Sequence, residues 1–187
     1  MKKIIFILCF FIFTNILFSQ INLRAGYNYD FLTAGAIKRV GYEKNKYLFS
    51  GYFFSFGITD GISSIDFEYN YAKATAKLYE ENKDLKMNDI TINIFLAEDK
   101  SYPLIYGFNI ATGIGYDEPV YLRLKTGIEL DFYLFDYISL FASGLLNIGY
   151  FYLSERNLLD IPVSSEGVVS GPQIKFGIRT HIMFSKF

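Results

Sequence analysis

The sequence is short of the residues that cross-link chains, bind metals or catalyse reactions. Its 187 residues include one cysteine, one histidine and no tryptophan. The cysteine, Cys9, lies in an apolar N-terminal segment, so the rest of the chain predicts no disulfide. The formal net charge of -1 gives no argument for a nucleic-acid or an acidic partner. After the N-terminus, no continuous apolar run is long enough for a membrane helix.

Apolar residues are nevertheless abundant, at 51% of the chain with 19% aromatic, and they are spread as alternation. The longest example is VYLRLKTGIELDFYLF, residues 120–135. Every second residue from Val120 to Leu134 lies on a mainly apolar face, while Arg123 and Glu129 lie on the other. Alternation is the period of a β-strand. The run exceeds the roughly ten residues that a tilted strand needs to cross a bilayer.

The first 19 residues predict a cleavable signal peptide. Met1, Lys2 and Lys3 form a positive start, residues 4–13 are almost entirely apolar, and Ser19 is a small residue before a plausible cut. A signal anchor that stays uncleaved is the alternative. Residues 20–187 then form one domain, the size expected for a chain of this length, and we expect it to be an outer-membrane β-barrel.

The same alternation predicts eight strands. They lie at about residues 21–31, 47–59, 63–79, 88–97, 102–116, 120–135, 137–153 and 172–184. Short links are predicted near Asp60, Glu98 and Asp136 on one side, and longer ones over residues 34–46, 80–86 and 154–170 on the other, where the short break at Asp117 is the exception. Short turns on one side and longer loops on the other are typical of outer-membrane barrels. We therefore predict an all-β, eight-stranded, antiparallel up-and-down transmembrane barrel.

Alternation alone does not decide which face meets lipid, because a soluble lipocalin-like barrel also has eight strands but turns its apolar face inward. The polar face here is rich in small residues, which fit the narrow interior of eight strands. It also balances its charges, as buried charges require. Lipocalins usually place a tryptophan in their first strand, and this chain has none. The lumen charge network is predicted to contain Arg24, Asp30, Asp66, Glu68, Arg123, Lys125, Glu129, Asp131, Lys175 and Arg179.

Two interpretations of this network remain open: a set of ion pairs that fills and stiffens the barrel, or a gated polar path for protons or small ions. Eight strands leave no open aqueous channel, which argues against a general porin. A lipid-modifying enzyme would need a nucleophile beside a base. His181 is predicted to point inward, and nothing in the sequence connects it to Ser139 or Ser143. We predict no catalytic residues, no cofactor and no metal site.

Residues 20–187 resemble the small eight-stranded outer-membrane barrels of the OmpX and OmpA-transmembrane class. The signal peptide ending Phe18-Ser19-Gln20, and the wealth of Ile, Lys, Asn, Phe and Tyr, resemble Bacteroidota envelope proteins. A narrower resemblance is to the TraO family of conjugative transposons. It is carried by the segments IFLAEDK (94–100), GFNIATGIGYD (107–117), GIELDFYLFD (127–136) and GPQIKFGI (171–178).

The narrower resemblance implies a non-enzymatic outer-membrane component of a conjugal transfer apparatus. The alternative is a stand-alone OmpX-like barrel that binds a surface partner through its external loops, above all residues 154–170. Expected partners are outer-membrane lipid and lipopolysaccharide, the barrel-insertion machinery, and other envelope or conjugation proteins. The basic loop, residues 38–46, has two interpretations: a solvated loop, which is the commoner case, or a segment that meets lipopolysaccharide phosphates by charge attraction.

Overall fold

The computed structural model describes residues 20–60, 63–97, 103–116, 119–156 and 159–182. The predicted signal peptide, residues 1–19, and parts of the links near Asp60, Glu98 and Asp117 lie outside the described residues. Cleavage after Ser19 therefore stays a prediction. Among the helices of the described segments, none is long and apolar enough to cross a membrane.

Eight strands follow one another around a closed antiparallel ring, which confirms the predicted fold. The strands are β1 (Gln20–Ala34), β2 (Lys46–Thr59), β3 (Ser64–Leu78), β4 (Glu81–Ala97), β5 (Leu104–Gly115), β6 (Val120–Phe135), β7 (Ile138–Arg156) and β8 (Pro162–Ile182). A short helix, α1 (Gly35–Arg39), follows β1. β1 pairs with β8 and closes the ring.

The apolar face of the alternation points outward, and the polar face lines the interior. On β6 the exposed fraction is 56% for Leu122 and 2% for its neighbour Arg123. The same contrast holds on every strand, so large apolar side chains form a belt around the barrel. A lipocalin-like barrel has the opposite arrangement. The exterior of this barrel therefore has the chemistry of a surface that meets hydrocarbon.

The two ends of the barrel differ. The end that holds both termini of the described chain is named the terminal end; there Gln20 pairs with Thr59 and Ile21 pairs with Ile182. The opposite end is named the far end. It carries α1 and the links from β1 to β2, β3 to β4, β5 to β6 and β7 to β8.

The predicted loop over residues 80–86 is wrong, because β4 already begins at Glu81. Leu78 pairs with Glu81, and Tyr79 and Glu80 make a two-residue turn with φ values of 48° and 75°. Positive φ at both turn residues is the geometry of the tightest hairpins. Charged residues at the start of β4 interrupt the apolar pattern without ending the strand.

The predicted long loop over residues 154–170 is also wrong. β7 continues to Arg156 and β8 begins at Pro162, with Ser154 paired to Ser164 and Arg156 paired to Pro162. Most of the segment is therefore a hairpin at the far end. Along its strands the exposed residues include the polar Ser164, Glu166 and Ser170, and the large apolar Leu159 and Ile161 lie at the tip. The regular alternation that predicts an outward apolar face is therefore absent there.

Two smaller differences concern the ends of strands. The looser stretch predicted over residues 34–46 contains α1 and a single β-bridge between Tyr42 and Leu78. Phe135 was predicted to lie on the inward face of β6 but is exposed. The pairing of β6 with β7 shifts register between Tyr133 and Phe135, and a bulge of this kind reverses the facing of the residue that follows it.

Candidate functional site in the barrel interior

The ten predicted lumen residues all lie inside the barrel, and each is at most 2% exposed. Alternation on β1, β3, β6 and β8 places them on the inner face of the ring. The prediction left out one member of the same cluster, Asp89 on β4, which is 1% exposed. The sequence contained the signal for it, because Asp89 is in phase with the inward-facing Thr91 and Asn93.

The ion pairs nearer the terminal end share Glu129. Arg24 Nη2 donates to Glu129 Oε2 at 2.7 Å, and Arg24 Nη1 lies 3.4 Å from Asp66 Oδ2. Arg179 pairs with both Glu129 and Asp131. Two guanidinium groups thus bind three carboxylates from strands on different sides of the ring. Buried charges remain charged when they are paired and hydrogen-bonded in this way.

A second group of ion pairs centres on Arg123. This side chain pairs with Asp89, and its Nη1 lies 3.2 Å from Asp30 Oδ1. Asp30 also accepts hydrogen bonds from the amides of Asn147 and Gln173, each at 2.9 Å. These contacts join β1, β4, β6, β7 and β8 across the lumen. Because β4 is not adjacent to β1, β7 or β8 in the ring, these contacts connect strands that share no backbone hydrogen bonds.

Two lysines in the lumen have different surroundings. Lys175 pairs with Glu68 Oε1, whereas the ammonium of Lys125 has no hydrogen-bond partner among the described residues. Glu68 Oε2 also lacks one within that part of the chain. Both lysines are buried. Lys125 is therefore the cation in the predicted set whose burial is least offset by direct contacts.

Aromatic rings fill the space between the charged groups. The Arg24 guanidinium lies 4.2 Å from the ring centre of Phe141, and the Lys175 ammonium lies 4.6 Å from that of Phe53. Phe53 and Phe141 contact each other edge to face at 5.7 Å. Cations over ring faces are favourable, more so when water is excluded. The middle of the barrel is thus occupied by side chains, as eight strands require.

The interior of the far half is apolar, which the sequence interpretation missed. Ala36, Ile37 and Val40 project from α1 and the residue after it into the ring, and each is fully buried. They belong to one cluster of buried side chains. Its other members are Leu32, Ala34, Tyr42, Phe49, Ala72, Ala74, Ala76, Leu78, Leu85, Met87, Tyr121, Phe151, Leu153 and Val169. This cluster with α1, here named the apolar plug, fills the barrel above the charged network.

Polar contacts tether the plug at the far end. Tyr42 Oη donates to Glu155 Oε1 at 2.9 Å, and Glu155 also pairs with Lys83. Arg39 Nη1 donates to the Glu166 carbonyl at 3.0 Å. Burial, together with the hydrogen bond to Glu155, raises the pKa of Tyr42 well above its ordinary value. Tyr42 therefore stays a neutral donor throughout the physiological pH range.

His181 has a structural environment. Its Nε2 lies 3.1 Å from Tyr133 Oη, and the two rings stack with centres 5.7 Å apart. The Ser139 hydroxyl donates to Asp131. Within the described residues, no group of three or more histidine, cysteine, aspartate or glutamate side chains is placed to hold a metal ion. Hydrogen bonding and stacking account for the position of His181.

No family model matches this sequence, so the resemblance to TraO gains no support from that comparison. No curated protein matches either. Two solved structures are similar. The outer membrane protein AlkL, determined by solid-state NMR in DMPC bilayers, has a TM-score of 0.52 and 10% identity, with 90% of this chain and 92% of that chain covered. Neisserial surface protein A (NspA) has a TM-score of 0.46 and 13% identity, with 86% and 96% covered.

The chain therefore shares its fold with small outer-membrane barrels. At 10% identity the likeness to AlkL shows the fold alone, because one fold hosts many functions.

Proposed function

We propose that the chain is a non-enzymatic outer-membrane barrel that fills its own lumen and displays its far end to a partner at the cell surface. The observation that carries this proposal is the apolar plug, which occupies the far half of an interior whose other half is filled by paired charges. The links near Asp60, Glu98 and Asp136, predicted to be short, join strands at the terminal end, and outer-membrane barrels keep their short turns on the periplasmic side. The far end then faces outward from the cell.

The membrane location is supported by the outward belt of large apolar side chains. Soluble monomers rarely expose contiguous apolar patches larger than a few hundred Å², whereas this belt surrounds the barrel. Heat-modifiability on a gel of the outer-membrane fraction tests the location. We expect the folded protein to migrate differently until it is boiled. A soluble periplasmic protein without that shift would contradict the proposal.

The filled lumen predicts that the barrel does not conduct ions steadily. The predicted lumen charges other than Lys125 are paired with one another, and the apolar plug fills the far half, so a continuous hydrated path is not expected. Planar-bilayer recordings of the refolded protein test this. We expect no stable open steps, whereas reproducible ohmic steps would favour the gated polar path that the sequence leaves open.

Display of the far end is supported by the hairpin of β7 and β8. Leu159 and Ile161 at its tip are 77% and 53% exposed, and they are separated from the apolar belt by polar residues such as Ser154 and Ser164. Exposed apolar side chains on a structured hairpin suit a protein contact. A photo-crosslinker at Leu159, with one at the lipid-facing Leu130 as control, tests this in intact cells. A protein adduct is expected at Leu159 alone.

A TraO-like role in conjugal transfer is the second candidate, and sequence resemblance supports it. The matching segments include residues 107–117, most of which form β5. The test is the transfer frequency of a cell in which this gene is deleted, measured with and without the gene restored. A loss that the restored gene repairs would support the role. An unchanged frequency would leave the stand-alone surface barrel.

A further inference from the structure

Four lysines lie on the outer wall of β2, β3 and β4 beyond the far edge of the apolar belt, and one of them, Lys77, pairs with Glu43 at 3.9 Å. The other three, Lys46, Lys73 and Lys86, are all exposed, and each is in phase with the outward-facing residues of its strand. Lys73 on β3 is directly opposite Lys86 on β4 in the strand register. Like charges directly opposite each other on one face destabilise a sheet. This outer wall therefore carries a concentration of positive charge that the fold itself does not require.

The protein supplies little negative charge to this group. Asp84 Oδ2 lies 3.8 Å from Lys73 Nζ, with the two side chains 41% and 57% exposed, and Asp84 also accepts a hydrogen bond from Thr75 at 3.2 Å. In the part of the chain that the structure describes, neither Lys46 nor Lys86 has a carboxylate within ion-pair distance. Two of the three positive charges are thus left for an external anion.

Lys73 and Lys86 are at the height of a lipid headgroup, and Lys46 lies next beyond the exposed Leu48 on the outer face of β2. On β3 the outward residues below Lys73 are Tyr71 and Tyr69, and on β4 Asn88 separates Lys86 from the lipid-facing Ile90. Tyr69 Oη donates to Asn88 Oδ1 at 3.1 Å. Tyrosines mark the boundary between hydrocarbon and headgroups in such barrels. Phosphates of the adjoining leaflet lie immediately beyond that boundary, level with these ammonium groups.

The other side of the barrel lacks this charge. At the far edge of the belt, the outward side chains Val120, Tyr150, Tyr152 and Val168 of β6 to β8 are uncharged, and the charged Glu166 opposite Tyr152 is negative. The positive group is therefore local to β2, β3 and β4. A positive charge restricted to three strands suits a site for one bound anion better than a general attraction of the barrel to an anionic surface.

We propose that Lys46, Lys73 and Lys86 bind the phosphate groups of a phosphorylated glycolipid of the outer leaflet. The ammonium groups meet phosphate oxygens in charge-assisted hydrogen bonds, while the lipid chains cover the apolar belt beneath. The inference rests on the proposed outer-membrane location. The proposed phosphate site differs from the basic loop considered from the sequence, residues 38–46. Of that loop it keeps only Lys46, since Arg39 lies on α1 and donates to the Glu166 carbonyl.

The test uses the full folded barrel in DMPC nanodiscs that contain either phosphorylated lipid A or the same lipid with its phosphates removed. Native mass spectrometry counts the lipid that stays bound. Each lysine near an anionic lipid surface contributes roughly fivefold in affinity. We therefore expect retention of phosphorylated lipid A to fall at least about tenfold in the variant with Lys46→Gln, Lys73→Gln and Lys86→Gln. The dephosphorylated lipid should bind wild type and variant equally weakly.

Lys38→Gln with Arg156→Gln is the matched control, since both residues are exposed at the far end but lie off this outer wall. Wild-type retention in the control and loss in the triple variant would support the site. Equal retention in both, or inorganic phosphate that binds as tightly as the lipid, would overturn it. The heat shift on a gel is read on every sample. A barrel that shifts but shows no lysine effect contradicts this inference alone, while absence of the shift contradicts the proposed function.

Discussion

The guanidinium of Arg24 on β1 lies 2.7 Å from the carboxylate of Glu129 on β6, although 105 residues separate the two in the chain. These strands are not neighbours in the ring, so the contact crosses the lumen instead of following the sheet. Backbone hydrogen bonds hold each strand to the next, and ion pairs of this kind brace the ring internally. We propose that bracing is the main role of the lumen charges.

Removing the shared carboxylate tests this bracing. Glu129→Ala leaves Arg24 without its closest partner and takes one of two carboxylates from Arg179. Breaking a buried pair typically costs about 3–5 kcal/mol, so we expect a loss of stability of that order. Urea unfolding in lipid vesicles, followed by tyrosine fluorescence, gives the free energy of unfolding.

The control for this variant is Glu81→Ala, at an exposed position of β4. Surface substitutions usually change stability by less than about 0.5 kcal/mol. If the two variants unfolded at the same urea concentration, the lumen charges would not brace the barrel. The same result would also contradict their pairing inside it.

The two buried lysines are expected to respond in opposite ways to replacement by methionine. Lys175→Met leaves Glu68 without its paired ammonium and should destabilise the barrel by about 3 kcal/mol or more. Lys125→Met removes a buried ammonium that lacks a hydrogen-bond partner within the described residues. That change should be neutral or stabilising, as replacements of poorly compensated buried charges often are.

Thermal unfolding of both lysine variants in the same detergent provides the comparison. Both variants replace a buried lysine by methionine. A difference between their unfolding temperatures therefore reports the effect of the carboxylate partner, which Lys175 has and Lys125 lacks in the described part of the chain. A destabilisation of similar size in both would mean that Lys125 is held by groups other than direct hydrogen bonds.

Glycines on the two faces of the barrel are expected to differ in their tolerance of a side chain. A Cβ added at the inward-facing Gly26 would lie 2.1 Å from the Phe176 carbonyl oxygen, whereas one added at the outward-facing Gly144 would meet nothing within 4 Å. Gly26→Ala should therefore lower the temperature of the gel shift, because backbone must move. Gly144→Ala should leave it unchanged or raise it. If the two variants had the same gel-shift temperature, the close approach of the β1 and β8 backbones at Gly26 would be contradicted.

Neighbouring residues of α1 provide a test of the apolar plug. Ile37 is fully buried, and Lys38 beside it is exposed. Ile37→Asp places a carboxylate among apolar side chains without a partner, which costs several kcal/mol, so α1 should leave the lumen. Lys38→Asp should leave it in place.

Labelling of a cysteine in the wall measures whether the plug has moved. Ala74→Cys lies in the plug-facing wall of β3, and its reaction with a maleimide is compared in the two backgrounds. Rapid labelling with Ile37→Asp and slow labelling with Lys38→Asp is the expected result. Slow labelling in both backgrounds would contradict the prediction that Ile37→Asp drives α1 out of the lumen.

Alternation predicts the number of strands and their faces well, as β6 shows, because its predicted bounds agree with the structure. It fails beyond the apolar belt. The starts of β4 and β8 contain charged or small polar residues instead of large outward-facing apolar ones, and the sequence predicts a loop at each. Apolar and polar residues alternate only where the two faces of a strand have different environments. The alternation is therefore lost where both faces meet water or protein.

The sequence by itself determined which side chains face inward, because facing follows from the two-residue period of a strand and needs no knowledge of neighbours. Tertiary structure alone decided which charges meet. The pairing of Arg123 with Asp30 and Asp89, and of Lys175 with Glu68, depends on the register of several strands and on closure of the ring. The apolar plug likewise depends on where α1 lies once the barrel has closed, which no local pattern specifies.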